Sequence, residues 1–192
     1  IGNIYMSFLI KYDLEYSDHF IFNAAITNSV CDLINNFCKI NTNIKWPNDI
    51  VINNRKVSGI MSELFKKESK DFIILGVGIN FESSPKIKNY PTTYIKYYKK
   101  NIDRNYLIYK LIELFLKQYT NIISENYEKI ILSYKSKLLH LGKKIYIEEE
   151  NNKTTNILFE DINLDGSIVA NINGERKNIY SGRIKNDIKM NS

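Results

Sequence analysis

An α+β fold is what this 192-residue sequence predicts: a mixed β-sheet packed with helices over residues 1–141, then a small β-barrel over 142–192. Three observations predict it. Between residues 43 and 80 short apolar runs follow one another with turn residues between them, the mark of neighbouring strands. Stretches 18–39 and 103–123 carry apolar residues at helical spacing. From residue 144 onward the pattern changes to strands of about six residues, punctuated by the hairpin dipeptides Asp165-Gly166 and Asn173-Gly174.

Taken in order, residues 2–11 read as a strand, and helix 18–39 turns Ile26, Val30, Leu33, Ile34 and Phe37 inward. Strands are expected at 43–46, 49–53, 56–65 and 72–80, the last two joined by the charged turn Lys66 to Asp71. Pro85 and Pro91 make 82–101 irregular or weakly helical. Asp103 is a good N-cap for a helix that faces Leu107, Leu111, Ile112, Phe115 and Tyr119 inward. Ser124 is expected to cap a further helix ending near His140, with Gly142 just beyond. Strands at 144–149, 155–160, 167–172 and 175–180 complete the barrel.

Residues 45–80 hold the chemistry. In Lys45-Trp46-Pro47-Asn48-Asp49, Pro47 fixes its own φ and keeps Trp46 extended, so Asn48 and Asp49 are displayed in a defined direction. Lys56 opens the next strand after the turn Asn53-Asn54-Arg55, and the hairpin brings it near Asp49. Alternation puts Lys56, Ser58, Ile60 and Ser62 on one face, and Val57, Gly59, Met61 and Glu63 on the other. A lysine that close to a sheet interior needs a negative partner, which Asp49 or an anionic ligand would supply. In 72–80, Ile73, Leu75, Val77 and Ile79 share a core face, while Gly76, Gly78 and Asn80 share the other. Two glycines on one strand face mark either a tight crossing or the floor of a ligand site. An amide at the end of that stripe suits the edge of a flat heterocycle, as Asn suits adenine. A plain Pro-Asn-Asp turn and a solvated hairpin lysine are the blander readings of the same residues.

Together, Lys45 to Asp49, Arg55-Lys56-Val57-Ser58-Gly59-Ile60 and Gly76-Val77-Gly78-Ile79-Asn80 resemble the active-site core of biotin protein ligases. The resemblance runs on through Gly2-Asn3-Ile4-Tyr5-Met6-Ser7, Ile102-Asp103-Arg104-Asn105 and the last fifty residues. It implies a class II synthetase-like catalytic domain followed by an SH3-like barrel. It implies ATP-dependent ligation of biotin, through biotinyl-5′-AMP, to a lysine of the biotin carboxyl carrier protein of acetyl-CoA carboxylase, with Mg²⁺ beside ATP. On this resemblance Lys56 and Asp49 are catalytic. Lys56, Gly59, Ile60, Gly76 and Gly78 bind biotin, Asn48 and Asn80 contact the adenine, and metal ligands stay unassigned. The chain begins at Ile1, apparently in mid-sheet and without the family's basic loop, so a fragment inactive by itself is expected. Arg183 follows Ser181-Gly182 where family members often carry an acidic residue.

Composition is consistent with this and narrows it little. Hydrophobic residues make up 44% and aromatics 12%, ample for a core, and no run approaches membrane-spanning length. Net charge is +6, but the bases are scattered along the chain, which argues against a nucleic-acid patch. Cys31 and Cys38 on one helix would lie about 10 Å apart, too far to bridge, so reduced, packed thiols in a cytoplasmic protein are expected. His19 and His140 are isolated from any metal-ligand spacing. Two other functions stay open. One is a biotin-responsive repressor, which binds DNA only with a helix-turn-helix upstream; the other is a lipoate-ligase-like relative. The resemblance also leaves room for a homodimer.

Overall fold

The computed structural model describes residues 2–12, 19–88, 90–149 and 153–185. Strands β1 (Ile4–Tyr12), β2 (Asn43–Lys45), β3 (Asp49–Ile52), β4 (Arg55–Lys67) and β5 (Lys70–Ile79) form one sheet in the order β1-β5-β4-β3-β2. Every pairing in it is antiparallel, which corrects the expected mixed sheet. The reason lies in the turns. Asn53-Asn54 (φ 48° and 60°) and Glu68-Ser69 (φ 51° and 60°) are two-residue left-handed corners, and such corners join only antiparallel neighbours. The second corner is tighter than the expected Lys66–Asp71 turn, so both flanking strands run further.

Helix α1 (Phe20–Leu33) is buried almost all round, because it lies between this sheet and helices α3 (Arg104–Ile123) and α4 (Tyr127–Lys137). Its buried polar groups are satisfied: Asn28 Nδ2 donates to Ile130 O at 2.9 Å and Ser29 Oγ to Ala25 O at 2.8 Å. The helix continues as one wide turn over Ile34–Cys38, and Lys39 (φ 61°) ends it; the expected start at residue 18 lies outside the described residues. A short helix α2 (Ile95–Tyr98) interrupts the irregular stretch before α3. Asp103 caps α3 as expected, accepting from Tyr106 N at 2.6 Å, a contact worth about 1 kcal/mol.

Two helix expectations need correction. Ile112 is 38% exposed, because it stands one residue, about 100°, off the buried line Leu107, Leu111, Phe115. Ser124 closes α3 instead of opening α4: its hydroxyl donates back to Thr120 O at 2.8 Å, and Asn126 is the residue preceding α4.

Strands β6 (Lys144–Glu148), β7 (Thr154–Ile162), β8 (Ile168–Ile172), β9 (Glu175–Ile179) and β10 (Arg183–Lys185) form a second antiparallel sheet ordered β10-β6-β7-β8-β9. Asn173-Gly174 makes the tight corner expected of it, whereas Asp165-Gly166 sits inside a five-residue loop, 163–167. The three-residue β10 is too short to show any periodicity and was not expected. That loop docks on the first sheet: Trp46, 3% exposed, donates its indole N–H to Gly166 O at 2.8 Å. Gly166 (φ 84°) lies so close to Phe20 that a Cβ there would sit 2.3 Å from the ring.

Cys31 and Cys38 are free and buried. Burial pushes their thiols up to about 12 and about 11, so both stay protonated and unreactive. Among the described residues no helix is long and apolar enough to cross a membrane.

Candidate active site

On the face of the first sheet turned away from α1 the backbone itself forms a floor. Strand register aligns Tyr5, Gly78, Gly59, Asp49 and Lys45 in one row across five strands, and Ser7, Gly76 and Met61 in the next. The opposite face of β5, Ile73, Leu75, Val77 and Ile79, is fully in the core, as alternation predicts. The bare rows open as a trough of about 520 Å³ edged by Tyr5, Asn48, Asp49, Lys56 and Met61. That volume suits a small organic molecule.

The glycines of the floor are not demanded by packing. A Cβ on Gly76 would meet nothing nearer than Met61 O at 3.7 Å, and one on Gly78 only the Tyr5 ring at 3.6 Å, both ordinary contacts. Among the described residues no element crosses there, so the tight-crossing explanation of the two glycines finds no support in packing. Gly59 differs. A Cβ there would stand 2.9 Å from both Cε and Nζ of Lys56 and 3.4 Å from Asp49 Oδ1. Gly59 therefore leaves the space in which Lys56 and Asp49 meet.

Those two side chains form an ion pair, Lys56 Nζ to Asp49 Oδ1, partly open to solvent at the end of the trough. The expected proximity holds, but the expected face does not. Strict alternation puts Lys56 with Ser58 and opposite Gly59. The register between β3 and β4 shifts at Ile50/Val51, so that Ser58 faces Ile50 while Lys56, two residues back, faces Val51. Val57 is the extra residue, and both it and Ser58 are buried. The bulge turns Lys56 onto the trough face over Gly59, a common use of bulges near sites.

Of the two asparagines, Asn48 lines the trough and clamps β4, donating Nδ2 to Ile60 O at 2.7 Å. Its own carbonyl accepts from Ile60 N at 3.0 Å, so Ile60, whose side chain is 3% exposed in the core, reaches the trough only through its main chain. Asn80 lies outside the trough lining and donates Nδ2 to Thr93 O at 3.0 Å and Lys56 O at 3.4 Å. The Trp46–Pro47 peptide is cis, and the buried Tyr134 hydroxyl donates to Pro47 O at 2.6 Å.

Sequence reasoning missed Tyr90. Its hydroxyl donates to Asp49 Oδ2, and its ring lies 5.0 Å from Lys45 Nζ and 5.8 Å from Lys56 Nζ. Burial, then the bond and the charge of Asp49, push the phenol well above its ordinary range, so it stays a donor. Lys45 is 6% exposed, and burial lowers its ammonium against the opposing pull of Asp49. Beyond Lys45 a second cleft of about 670 Å³ gathers Arg55, Lys143, Lys144 and Lys185, bases that looked scattered along the chain. Among the described residues no group of three His, Cys, Asp or Glu stands ready for a metal ion.

The sequence model of the Biotin/lipoate A/B protein ligase family matches residues 1–80, the segment that carries the whole floor and the ion pair. The bifunctional ligase/repressor BirA of Bacillus subtilis is 29% identical over 96% of this chain and 58% of its own length. The biotin–[acetyl-CoA-carboxylase] ligase of Mycobacterium tuberculosis is 24% identical over 83% of this chain and 58% of its own. The chain thus spans less than two thirds of these relatives. In fold it matches the apo biotin protein ligase of Aquifex aeolicus with a TM-score of 0.80 at 22% identity, covering 96% of this chain and 81% of that one. The same Aquifex protein has been solved with biotin and ATP, and that structure matches with a TM-score of 0.78 over 96% of this chain and 78% of that one.

Proposed function

We propose that this chain, which belongs with the biotin protein ligases, is the body of an enzyme that joins biotin to ATP as biotinyl-5′-AMP and then to a carrier lysine. One observation carries the reading: a glycine floor that packing does not require, ending at a lysine–aspartate pair set over Gly59. In the first step a biotin carboxylate oxygen would attack the α-phosphate, forming the mixed anhydride as the α–β bond breaks and pyrophosphate leaves. Negative charges meet in that step, and a fixed ammonium is the remedy. Lys56 has three N–H donors; one serves Asp49, and the others are available to the carboxylate and phosphate. Mg²⁺ would come with the ATP phosphates, and Asp49, whose two oxygens serve Lys56 and Tyr90, is the carboxylate among the residues lining the trough. In the second step an acceptor amine would attack the acyl carbon, lose a proton and expel AMP, and Asp49 is the carboxylate placed to assist.

Adenine would lie beside Asn48 and towards Asn80. The boundary at 141/142, closure of the second sheet as an SH3-like barrel and a cytoplasmic setting belong to the same reading. The acceptor would be the biotin carboxyl carrier protein of acetyl-CoA carboxylase, the mycobacterial relative being named as a biotin–[acetyl-CoA-carboxylase] ligase. Its approach past Lys45 would cross the basic cleft. Biotin-dependent exchange of pyrophosphate into ATP, followed by transfer to a carrier domain, tests the proposal. Exchange driven by lipoate and not by biotin would overturn it.

The floor supplies a sharper check. Gly76→Ala and Gly78→Ala should leave thermal stability within about 1 kcal/mol, since the added methyls clash with nothing and Ala is no worse than Gly in a strand. Biotin affinity by calorimetry should fall about tenfold or more, roughly 1.4 kcal/mol, as the methyls enter the trough. A stability loss as large as the binding loss would make these packing glycines after all.

A further inference from the structure

We propose that Tyr90 is a positioning residue: its hydroxyl fixes the Asp49 carboxylate so that the other oxygen presents Lys56 to the trough. The inference rests on the role given above to the Lys56–Asp49 pair, and adds a residue that acts only through it.

Tyr90 does not sit on a loose loop. Residues 90–93 are laid against the start of β4: Lys56 N donates to Pro91 O at 2.9 Å, and Thr93 N to Lys56 O at 2.8 Å. Arg55 Nε donates to Thr92 O at 3.0 Å, and Asn80, the residue after β5, donates Nδ2 to Thr93 O at 3.0 Å. The main chain of Lys56 is therefore stitched on both sides to the segment that carries Tyr90. The hydroxyl and the ammonium converge on one carboxylate, one to each oxygen. This also gives Asn80 a duty in the site although it lies outside the trough lining.

The surroundings explain why a carboxylate here needs holding. Lys45 faces it from β2, Lys56 from β4, and Arg183 of β10 acts on Tyr90 and Lys45 from the second sheet. A carboxylate among several cations has more than one direction in which to turn. A neutral donor on Oδ2 removes that freedom without adding charge. Small misplacement of a charge-stabilising group is enough to slow a reaction severely.

The test is Tyr90→Phe, which keeps the ring and removes only the hydroxyl. In ¹⁵N-lysine-labelled protein without substrates, the Lys56 ammonium signal, assigned by its loss in Lys56→Arg, should be visible in the parent and broadened away in Tyr90→Phe. In adenylate formation kcat should fall about tenfold with KM for biotin and ATP unchanged. In an Asp49→Ala background, where no side-chain oxygen is left for Tyr90 to hold, the same change should add no further loss, because Tyr90 acts through Asp49. An unaltered Lys56 signal, or losses that multiply in the double variant, would overturn the proposal. If the full-length protein that carries this chain forms no adenylate, the ligase reading falls, while the ammonium signal still decides the place of Tyr90.

Discussion

Lys56→Ala in the intact protein is expected to slow biotin-dependent pyrophosphate release by about 10²-fold or more, the usual consequence of removing one strong electrostatic stabiliser. The expectation follows from position. Lys56 is the cation of the trough end, its ammonium is carried there by the bulge at Val57, and Gly59 keeps its path clear. Charge is also at stake. In the proposed reaction the biotin carboxylate and the triphosphate are both anionic, and without the ammonium they lose the one protein cation, among the described residues, set between them at the trough end. Folding should be nearly untouched, because the ion pair is partly solvated and such pairs add little stability. The measurement is therefore clean: melting temperature within a few degrees, adenylate formation nearly abolished. Near-normal pyrophosphate release would remove Lys56 from the mechanism. Lys56→Arg should recover little, since a planar fork cannot replace a compact ammonium in the space over Gly59.

The floor of the site was legible in the sequence because strand parity is rigid. Gly76 and Gly78 on one side of β5, with Ile73, Leu75, Val77 and Ile79 on the other, can be read from alternation alone, and the structure keeps that division. The face of Lys56 was not legible. A one-residue bulge reverses parity, and nothing in Lys56-Val57-Ser58-Gly59 announces it except two small or apolar residues in succession, both of which turn out buried. Tyr90 was hidden for a different reason. It lies in a stretch without periodicity, and its partner is 41 residues away, so only the tertiary strap along β4 brings it to Asp49. The one local sign was its place before Pro91, where the backbone is biased towards an extended form. Direction of pairing and the basic cleft were lost similarly: the first depends on corners of Asn and Glu-Ser that lack glycine, the second on two sheets meeting.

Asp49→Asn should separate the two half-reactions. Measured as a single turnover from preformed biotinyl-adenylate, transfer to the carrier lysine is expected to fall by about 10²-fold or more at neutral pH, the range of a lost general base. The deficit should then shrink as pH rises, because an amine with a reference pKa of about 10.4 loses its proton unaided and needs the carboxylate less. The structure makes this the sharper of the two experiments. Asp49 already receives a hydrogen bond on each oxygen, from Lys56 on one and Tyr90 on the other, so it serves two neighbours before any substrate binds. A carboxylate so engaged has two ways to matter: it takes the proton of the acceptor amine, or it holds Lys56 in place. Asn keeps the size and one acceptor oxygen but loses the charge, so it removes the first role more completely than the second. The pH series tells them apart. A base adds a transfer deficit that falls as the amine deprotonates, on top of the smaller constant loss that loosening Lys56 causes in both steps, while an orienting group alone leaves only a loss that is constant across the series and equally large in adenylate formation. The second pattern would strip Asp49 of its proton-transfer role and leave Lys56 as the charged centre of the reaction, with Asp49 and Tyr90 as the supports that aim it.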